Sequence, residues 1–358
     1  MNKKNIIHIL IFLTIFVIVI SYVEDIFRTK EAADTIYTFK EEEKNSLDVL
    51  FIGASTCYRF FSPQELWNSY GITSYNMGTS EQSLAESYFV LKYALDDQSP
   101  QLVVMDVSSM IIHPLPLSDA RTHHILDNLE INKIWFEACM ELVSQDKRID
   151  FLIPMICYHE RWKELNEKDF KPIVSYSKGT MYNYVIQSFE KIILADPAYM
   201  YGIKDESLEW LNKINTLCRE NEIQLLFTIN PIPKLSASEE EGEVLQGMHH
   251  TLEKLAESEA FDVLNMTGDC NKIGIDMKMD YSDGWHVNVA GAMKITKYLG
   301  NYLIDKYNLN DHRNEKISEL WNERYQGYSK DILQKISHSN VTEEQKEYFV
   351  RIFNENKQ

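Results

Sequence analysis

The chain is poor in basic residues and in cysteine, and each shortage excludes a class of function. Lysine and arginine total 36 against 54 aspartates and glutamates, which gives a formal net charge of -18. That sign disfavours nucleic acid, whose phosphates reward basic patches, and a protein body lying flat on anionic lipid. The five cysteines form no CxxC pair, so the common zinc and redox motifs are excluded and no disulfide is predicted.

One long apolar run lies near the N-terminus. Residues 6–23 (IIHILIFLTIFVIVISYV) carry no formal charge apart from a possible one on His8, and as a helix they span roughly 27 Å, close to a bilayer core. Two lysines precede the run and two acidic residues follow it, so the positive-inside rule predicts a cytoplasmic N-terminus. No small-x-small cleavage site follows, which favours an uncleaved single-pass anchor over a signal peptide. The sequence therefore predicts an anchor at 1–24, a polar stalk at 25–46 and an extracytoplasmic remainder.

Short apolar runs alternate with helical patterns in the rest of the chain. The runs predict strands, and the alternation predicts an α/β fold with a mostly parallel sheet covered on both faces; the strand candidates are residues 47–52, 72–76, 101–107, 223–229 and 261–266. Such sheets bind ligands outside the carboxyl ends of their strands. We expect one α/β domain over 47–308. A helical insertion at about 111–205 is predicted to cap the site, and residues 309–358 are predicted to form a C-terminal helical appendage.

Two distant motifs carry the chemistry. Ser55 follows the first predicted strand through Gly53-Ala54, and Asp283-Gly-Trp-His286 precedes a helical pattern that starts near Asn288. A serine at a strand's carboxyl edge, with a histidine and a carboxylate delivered from elsewhere, is what serine acyl chemistry requires. Each motif alone also fits a purely structural role: Ser55 as a helix-capping serine, and Asp283-Gly-Trp-His286 as a surface turn. Their combination favours an enzyme.

With its motifs in this order, the sequence resembles the SGNH (GDSL-like) hydrolase superfamily. The resemblance covers roughly residues 47–110 and 220–305. Gly53-Ala54-Ser55 corresponds to the family's first block, Asn76-Met77-Gly78 to its second and Asp283-Gly-Trp-His286 to its last. The third block departs from the family, since Asp106-Val-Ser108-Ser109 stands where the family has an asparagine. The resemblance implies a three-layer, flavodoxin-like fold, with the helical insertion, the C-terminal helices and one transmembrane helix added to it.

The roles of the site residues follow from the chemistry. Ser55 would be the nucleophile, His286 the base that takes its proton, and Asp283 the carboxylate that orients the imidazole. The backbone N–H groups of Ser55 and Gly78 would stabilise the oxyanion, although Gly78 equally fits a turn glycine. Asp280 competes with Asp283, but the three-residue spacing to the histidine favours Asp283.

Several other residues are candidates for a functional role. Ser108 or Ser109 is a candidate for the function of the missing third-block asparagine. Cys57 is a rival nucleophile, predicted instead to pack in a first helical turn. The segment 159–162 fits a contact with an anionic or sugar substrate, and a structural role is preferred. The pairs His123-His124 and His249-His250, together with His113, lack the carboxylate spacing of a metal site, and both pairs are predicted to lie on solvated faces. No metal and no cofactor are predicted.

The variant blocks, the single anchor and the long insertion resemble exported members of bacterial cell-envelope systems. The resemblance implies an extracytoplasmic serine esterase or O-acyltransferase that acts on cell-envelope polysaccharide through an acyl-serine. Its partners would be an acylated glycan or teichoic acid and a multispanning membrane acyltransferase. The alternative is a catalytically inactive SGNH-like binding or assembly factor for an envelope acylation system. A secreted lipase or protease has less support, because nothing in the sequence indicates a large apolar acyl groove.

Overall fold

The computed structural model describes residues 3–27, 36–170 and 175–356. The predicted stalk therefore lies partly outside the described residues, at 28–35. Residues 171–174 of the predicted insertion and 357–358 of the predicted appendage also lie outside them.

Five parallel strands form one sheet in the order β2-β1-β3-β4-β5. The strands are β1 (Val49–Gly53), β2 (Ser74–Asn76), β3 (Leu102–Asp106), β4 (Gln224–Ile229) and β5 (Asp262–Asn265). Every side chain of β1, β2 and β3 is buried, as expected for a parallel sheet covered on both faces. The predicted α/β class and flavodoxin-like strand order are confirmed.

Helices make up most of the remaining described chain. The α-helices are α1 (Lys3–Phe27), α2 (Ser55–Phe60), α3 (Pro63–Tyr70), α4 (Leu84–Ala94), α5 (Asp119–Leu126), α6 (Lys133–Leu142), α7 (Arg148–Leu152), α8 (Met155–Tyr158), α9 (Asp205–Glu220), α10 (Glu240–Ala256), α11 (Cys270–Ile273), α12 (Val289–Lys306), α13 (Ile317–His338) and α14 (Glu343–Glu355). The 3-10 helices are Tyr37–Glu41, Met110–Ile112, His159–Lys163, Glu167–Phe170, Pro233–Leu235 and His312–Asn314.

Helices cover the two faces of the sheet. The connection from β1 to β2 runs across the sheet in one direction and the connection from β2 to β3 runs back, so right-handed crossovers place α3 and α4 on opposite faces. Helix α12 packs with α2 and α3, whereas α9 packs with α4. The direction of winding reverses between β2 and β4, so the carboxyl ends of β1 and β3 form a crevice.

The first helix stands apart from this core. None of the α1 residues is buried, and the helix is long and apolar enough to cross a membrane, a property shared by anchors and signal sequences. Its C-terminal end packs against α8 in the insertion. Arg161 supports that contact, because its Nη1 donates to the carbonyl of Phe27 at 2.5 Å. The segment 159–162 therefore has a structural contact, as the sequence favours.

The C-terminal helices pack closely on the α/β domain. The rings of Trp67 on α3 and Trp321 on α13 lie 5.2 Å apart between centroids, and the Trp67 indole donates to Asn322 Oδ1 at 3.0 Å. Phe349 and Phe353 of α14 are buried in a second apolar cluster with residues of α12 and α13. Because α12 directly follows the Asp283–His286 loop, this packing holds one side of the site.

Candidate active site

Ser55 is the first residue of α2, directly after a sharp turn at the end of β1. Gly53 has φ +154, and a Cβ there would lie 2.9 Å from the Cys57 Cβ and 3.1 Å from the Asp106 carbonyl oxygen. The chain therefore needs glycine at this position to turn from strand into helix. The turn leaves Ser55 half-buried at the carboxyl edge of the sheet, with its N–H unused by the helix.

A short loop delivers the carboxylate and the imidazole. Tyr281 and Val287 form an isolated antiparallel bridge, and the Ser282 N–H donates to the His286 carbonyl at 2.9 Å. Asn288 then caps α12, its side chain accepting from the Ala290 N–H at 3.0 Å. The N-cap of α12 thus lies two residues after His286 and fixes where the loop ends.

The structure brings Ser55, His286 and Asp283 into one hydrogen-bonded line. The Ser55 Oγ lies 2.8 Å from His286 Nε2. His286 Nδ1 lies 3.0 Å from both carboxylate oxygens of Asp283. Since the carboxylate occupies Nδ1 as acceptor, the neutral ring carries its proton there and presents a lone pair on Nε2 to the serine. This is the arrangement in which an imidazole removes a proton from an attacking hydroxyl.

Asp283 is built to stay ionised. Its Oδ1 accepts the N–H groups of Trp285 at 2.8 Å and His286 at 3.0 Å. Burial raises the pKa of this carboxyl, but those backbone donors and the His286 side chain outweigh burial, so the pKa lies below its ordinary value. The group beside His286 is therefore a carboxylate at neutral pH.

Asp280 has a different and structural role. Its buried carboxylate pairs with Lys294 Nζ at 2.7 Å and accepts the Tyr348 hydroxyl at 2.6 Å. These contacts join the loop to α12 and α14. Of the two aspartates weighed from the sequence, only Asp283 contacts His286.

Two of the candidate oxyanion donors are engaged elsewhere. The Gly78 N–H donates to Asn76 Oδ1 at 3.0 Å, so in this structure it is not free, and this contact disfavours the predicted oxyanion role. The Ser108 hydroxyl donates to the Asp106 carboxylate, which excludes it as the replacement for the third-block asparagine. Ser109, the other serine, does line the cavity. The Ser55 N–H at the start of α2 retains the geometry of a donor.

Cys57 is not a competing nucleophile. Its side chain is fully buried behind Ser55, with Sγ 3.5 Å from Asn76 Oδ1. Burial and the nearby Asp106 carboxylate raise the pKa of this thiol well above its ordinary value. The packing role predicted from the sequence agrees with this position.

A cavity of about 530 Å³ lies over the triad and is lined by Ser55, Asp283 and His286. The predicted insertion contributes His113, Leu117 and Asn183 to its wall. A larger cavity of about 920 Å³ beside α10 contains none of the triad residues, so its volume does not make it the site of this chemistry.

Sequence reasoning missed part of the cavity wall. Helix α4 begins only at Leu84, because Ser83 and Glu86 form the capping box. The preceding loop brings Ser80, Glu81 and Gln82 to the cavity. Glu81 has φ +54, a backbone conformation that a sequence pattern does not reveal for a glutamate.

Two histidine predictions are wrong in one respect. His123 and His249 are buried, at 7% and 1% exposure, rather than on solvated faces. His123 stacks on Phe151, and His249 Nε2 lies 2.9 Å from the Ser108 carbonyl oxygen, so each ring has a partner inside the protein. Within the described ranges, no group of three or more histidine, cysteine or acidic side chains is arranged to hold a metal ion.

Comparisons with known proteins find similarity only among solved structures. No family model matches the chain, and no curated protein matches it. A Streptococcus pneumonia structure described provisionally as a platelet activating factor is 14% identical, with a TM-score of 0.38 over 85% of this chain and 100% of the other. A Bacteroides fragilis structure described provisionally as an acylhydrolase is 11% identical, with a TM-score of 0.37 over 75% of this chain and 95% of the other. At these values the likeness carries no weight for activity, and function has to be inferred from the chain's own side chains.

Proposed function

We propose that this protein is a membrane-anchored, extracytoplasmic serine acyl esterase or O-acyltransferase acting on cell-envelope polysaccharide. The observation that carries the proposal is the contact of Ser55 Oγ with His286 Nε2 at 2.8 Å, backed by Asp283 on the other ring nitrogen. A half-buried hydroxyl in a cavity, with an oriented base, is the minimum that acyl transfer to serine requires.

The reaction would proceed in two halves. Ser55 Oγ attacks the carbonyl carbon of an ester while His286 Nε2 takes its proton, and Asp283 stabilises the imidazolium. The Ser55 N–H at the start of α2 is positioned to stabilise the resulting oxyanion. His286 then returns the proton to the departing alcohol, which leaves an acyl-Ser55. In the second half, water or a sugar hydroxyl attacks that ester while His286 takes its proton. The bond to Ser55 Oγ then breaks, and His286 returns the proton to Ser55 as the acyl product leaves.

The cavity favours a small acyl group. A volume of about 530 Å³ suits a sugar unit with a short acyl substituent better than a long chain. Polar side chains such as Arg59, Gln82 and Asn183 line it beside the triad, and these groups suit hydroxylated substrates. The cell-envelope location is supported by α1, and the polysaccharide or teichoic acid substrate by the sequence resemblance described above.

Covalent labelling tests the proposal. The full chain in detergent should react with a fluorophosphonate probe, because the probe phosphonylates a serine whose proton a neighbouring base removes. Ser55→Ala should abolish the adduct. Ser258→Ala is the matched control, since Ser258 is exposed and does not line the cavity, and it should label normally. An adduct that survives Ser55→Ala, or the absence of any adduct, would overturn the assignment.

A catalytically inactive binding factor is the second candidate. It is favoured by one specific observation: the Gly78 N–H is committed to Asn76 and the Ser108 hydroxyl to Asp106, which leaves fewer oxyanion donors than acyl transfer normally uses. In this case Ser55→Ala would return envelope acylation in a deletion strain to its normal level as well as the unchanged protein does. Under the enzyme proposal the variant leaves acylation at the level of the deletion strain.

A further inference from the structure

A second nucleophile, base and carboxylate meet in the insertion. His123 of α5 has Nδ1 3.1 Å from both carboxylate oxygens of Asp127. Its other ring nitrogen, Nε2, lies 3.3 Å from the Sγ of Cys157 on α8. None of these three residues belongs to the Ser55 site or lines its cavity. Their hydrogen bonds follow the same order as those of Ser55, His286 and Asp283, with a thiol in place of the hydroxyl.

The arrangement suits proton transfer rather than metal binding. The thiol and the carboxylate contact opposite nitrogens of one ring, whereas metal ligands must converge on a single point. The ring is also held in place. It stacks on Phe151 with centroids 3.7 Å apart and planes 4° apart, and Tyr158 donates its hydroxyl to Asp127 Oδ2 at 2.7 Å. An oriented imidazole whose Nδ1 proton faces a carboxylate presents a basic nitrogen to Cys157.

Cys157 is also accessible. It is exposed, whereas Cys57, Cys139 and Cys218 are buried and Cys270 is intermediate. Partial burial and the carboxylates of Asp150 and Asp127 raise the pKa of the Cys157 thiol. The resting thiol is therefore protonated, and attack needs a base at Sγ, the position that His123 occupies.

We propose that Cys157, His123 and Asp127 form a second nucleophilic centre, which accepts an apolar acyl chain as a thioester. The exposed apolar residues beside Cys157 favour an acyl group with an apolar chain. Leu152, Ile153 and Ile156 are exposed beside Cys157. Helix α8 also packs against the end of the membrane-type helix α1. An acyl thioester whose chain lies in the lipid surface would therefore present its carbonyl near Sγ.

The transfer step balances without a further reactant. Sγ attacks the carbonyl carbon of the donor thioester while His123 Nε2 takes the thiol proton. The tetrahedral intermediate breaks its bond to the donor sulfur, and His123 returns the proton to that sulfur. The products are an S-acyl-Cys157 and the free donor thiol. No oxidant or reductant is needed.

Alkylation of the full chain in detergent tests the nucleophile without any substitution. Iodoacetamide should modify Cys157 at least tenfold faster than Cys270, as read by mass spectrometry of the two peptides. A Cys157 rate no greater than that of Cys270 would overturn the proposal.

Palmitoyl-CoA in the same micelles tests the acceptor role. A hydroxylamine-labile palmitoyl adduct should form on Cys157, vanish in Cys157→Ser and fall at least tenfold in Asp127→Asn. It should persist in Ser55→Ala and Cys270→Ser, so this result is independent of the proposed esterase. No adduct on Cys157 would overturn the acceptor role, and equal labelling by acetyl-CoA would overturn the apolar-chain preference.

Discussion

Thr56, the residue after Ser55, donates its hydroxyl to the buried carboxylate of Asp106 at the end of β3. The same carboxylate accepts the Ser108 N–H at 3.2 Å and the Asn230 Nδ2 at 3.0 Å. Burial raises the pKa of Asp106, and these donors oppose that increase. The carboxylate therefore ties the first turn of α2 to the ends of β3 and β4, and it holds the serine through its neighbour.

Removing this carboxylate should destabilise the protein. Asp106→Ala leaves several buried donors without an acceptor, each costing about 1–3 kcal/mol, so we expect the free energy of unfolding to fall by about 3 kcal/mol or more. Urea denaturation followed by fluorescence measures it. Asp305→Ala, at an exposed position, should change stability by less than about 0.5 kcal/mol. Equal effects of the two substitutions would contradict the role given to Asp106.

The two aspartates before His286 should separate catalysis from stability. Asp283→Asn removes the carboxylate that orients the imidazole, so kcat for p-nitrophenyl acetate should fall roughly 10³- to 10⁴-fold with little loss of stability. Asp280→Asn breaks the buried pair with Lys294 and should cost about 3 kcal/mol of stability while kcat of the folded protein stays near its original value. A reversal of the two patterns would exchange the roles.

The turn before the nucleophile should not tolerate a side chain. Gly53→Ala places a Cβ 2.9 Å from the Cys57 Cβ in a backbone conformation that disfavours alanine, at an expected cost of about 1–3 kcal/mol. Fluorophosphonate labelling of the folded variant should also slow, because Ser55 is two residues away. Gly202→Ala is the matched control, since nothing lies within 4 Å of its added Cβ. Thermal unfolding of both variants checks the prediction.

His249 should make stability depend on pH in the acid range. Burial lowers the pKa of this histidine to about 4, against 6.5 ordinarily. Between these values the unfolded chain binds a proton that the folded chain does not. The free energy of unfolding should therefore fall as pH drops from 6.5 to 4, by about 3 kcal/mol. Urea titrations across this range should give a shallower slope for His249→Gln, and an unchanged slope would remove His249 as the cause.

The N-terminal helix offers a test of location. If α1 is an uncleaved anchor, the purified protein should retain residues 6–23 and partition with membranes, and a chain starting at residue 36 should not. Intact mass and N-terminal peptide mapping provide the measurement. A mature chain that begins after α1 would show that the helix is a removed signal sequence.

The sheet was predictable because the strands on one side of it, β1, β2 and β3, are fully buried. Short, mostly apolar runs such as 47–52 and 101–107 favour buried strands, and their alternation with helical patterns favours a parallel sheet. Ser55 was predictable because it follows the carboxyl end of a strand, where parallel sheets bind ligands. Asp283 and His286 were predictable because their three-residue spacing lies in a turn just before a helix. Their catalytic roles remain predictions, which the labelling experiment tests.

The missed features depend on contacts between distant parts of the chain. Nothing near Gly78 in sequence reveals that its N–H is occupied, because this depends on how the Asn76 side chain turns back. A pair of polar residues in a helical pattern predicts an exposed position for His123 and His249. The sequence does not show that the Phe151 ring stacks on His123, or that the Ser108 carbonyl oxygen contacts His249 inside the protein. Pairing of Cys157 with His123 spans 34 residues and two helices.

One stretch without helix or strand joins the two sides of the Ser55 site. The Met181 N–H bonds to the carbonyl of Tyr58, in the helix that begins with Ser55. Six residues on, the Gln187 N–H bonds to the carbonyl of Tyr281, at the start of the loop that carries His286. A single proteolytic nick between these two bonds would leave Ser55, Asp283 and His286 intact but cut the only covalent connection between Ser55 and His286.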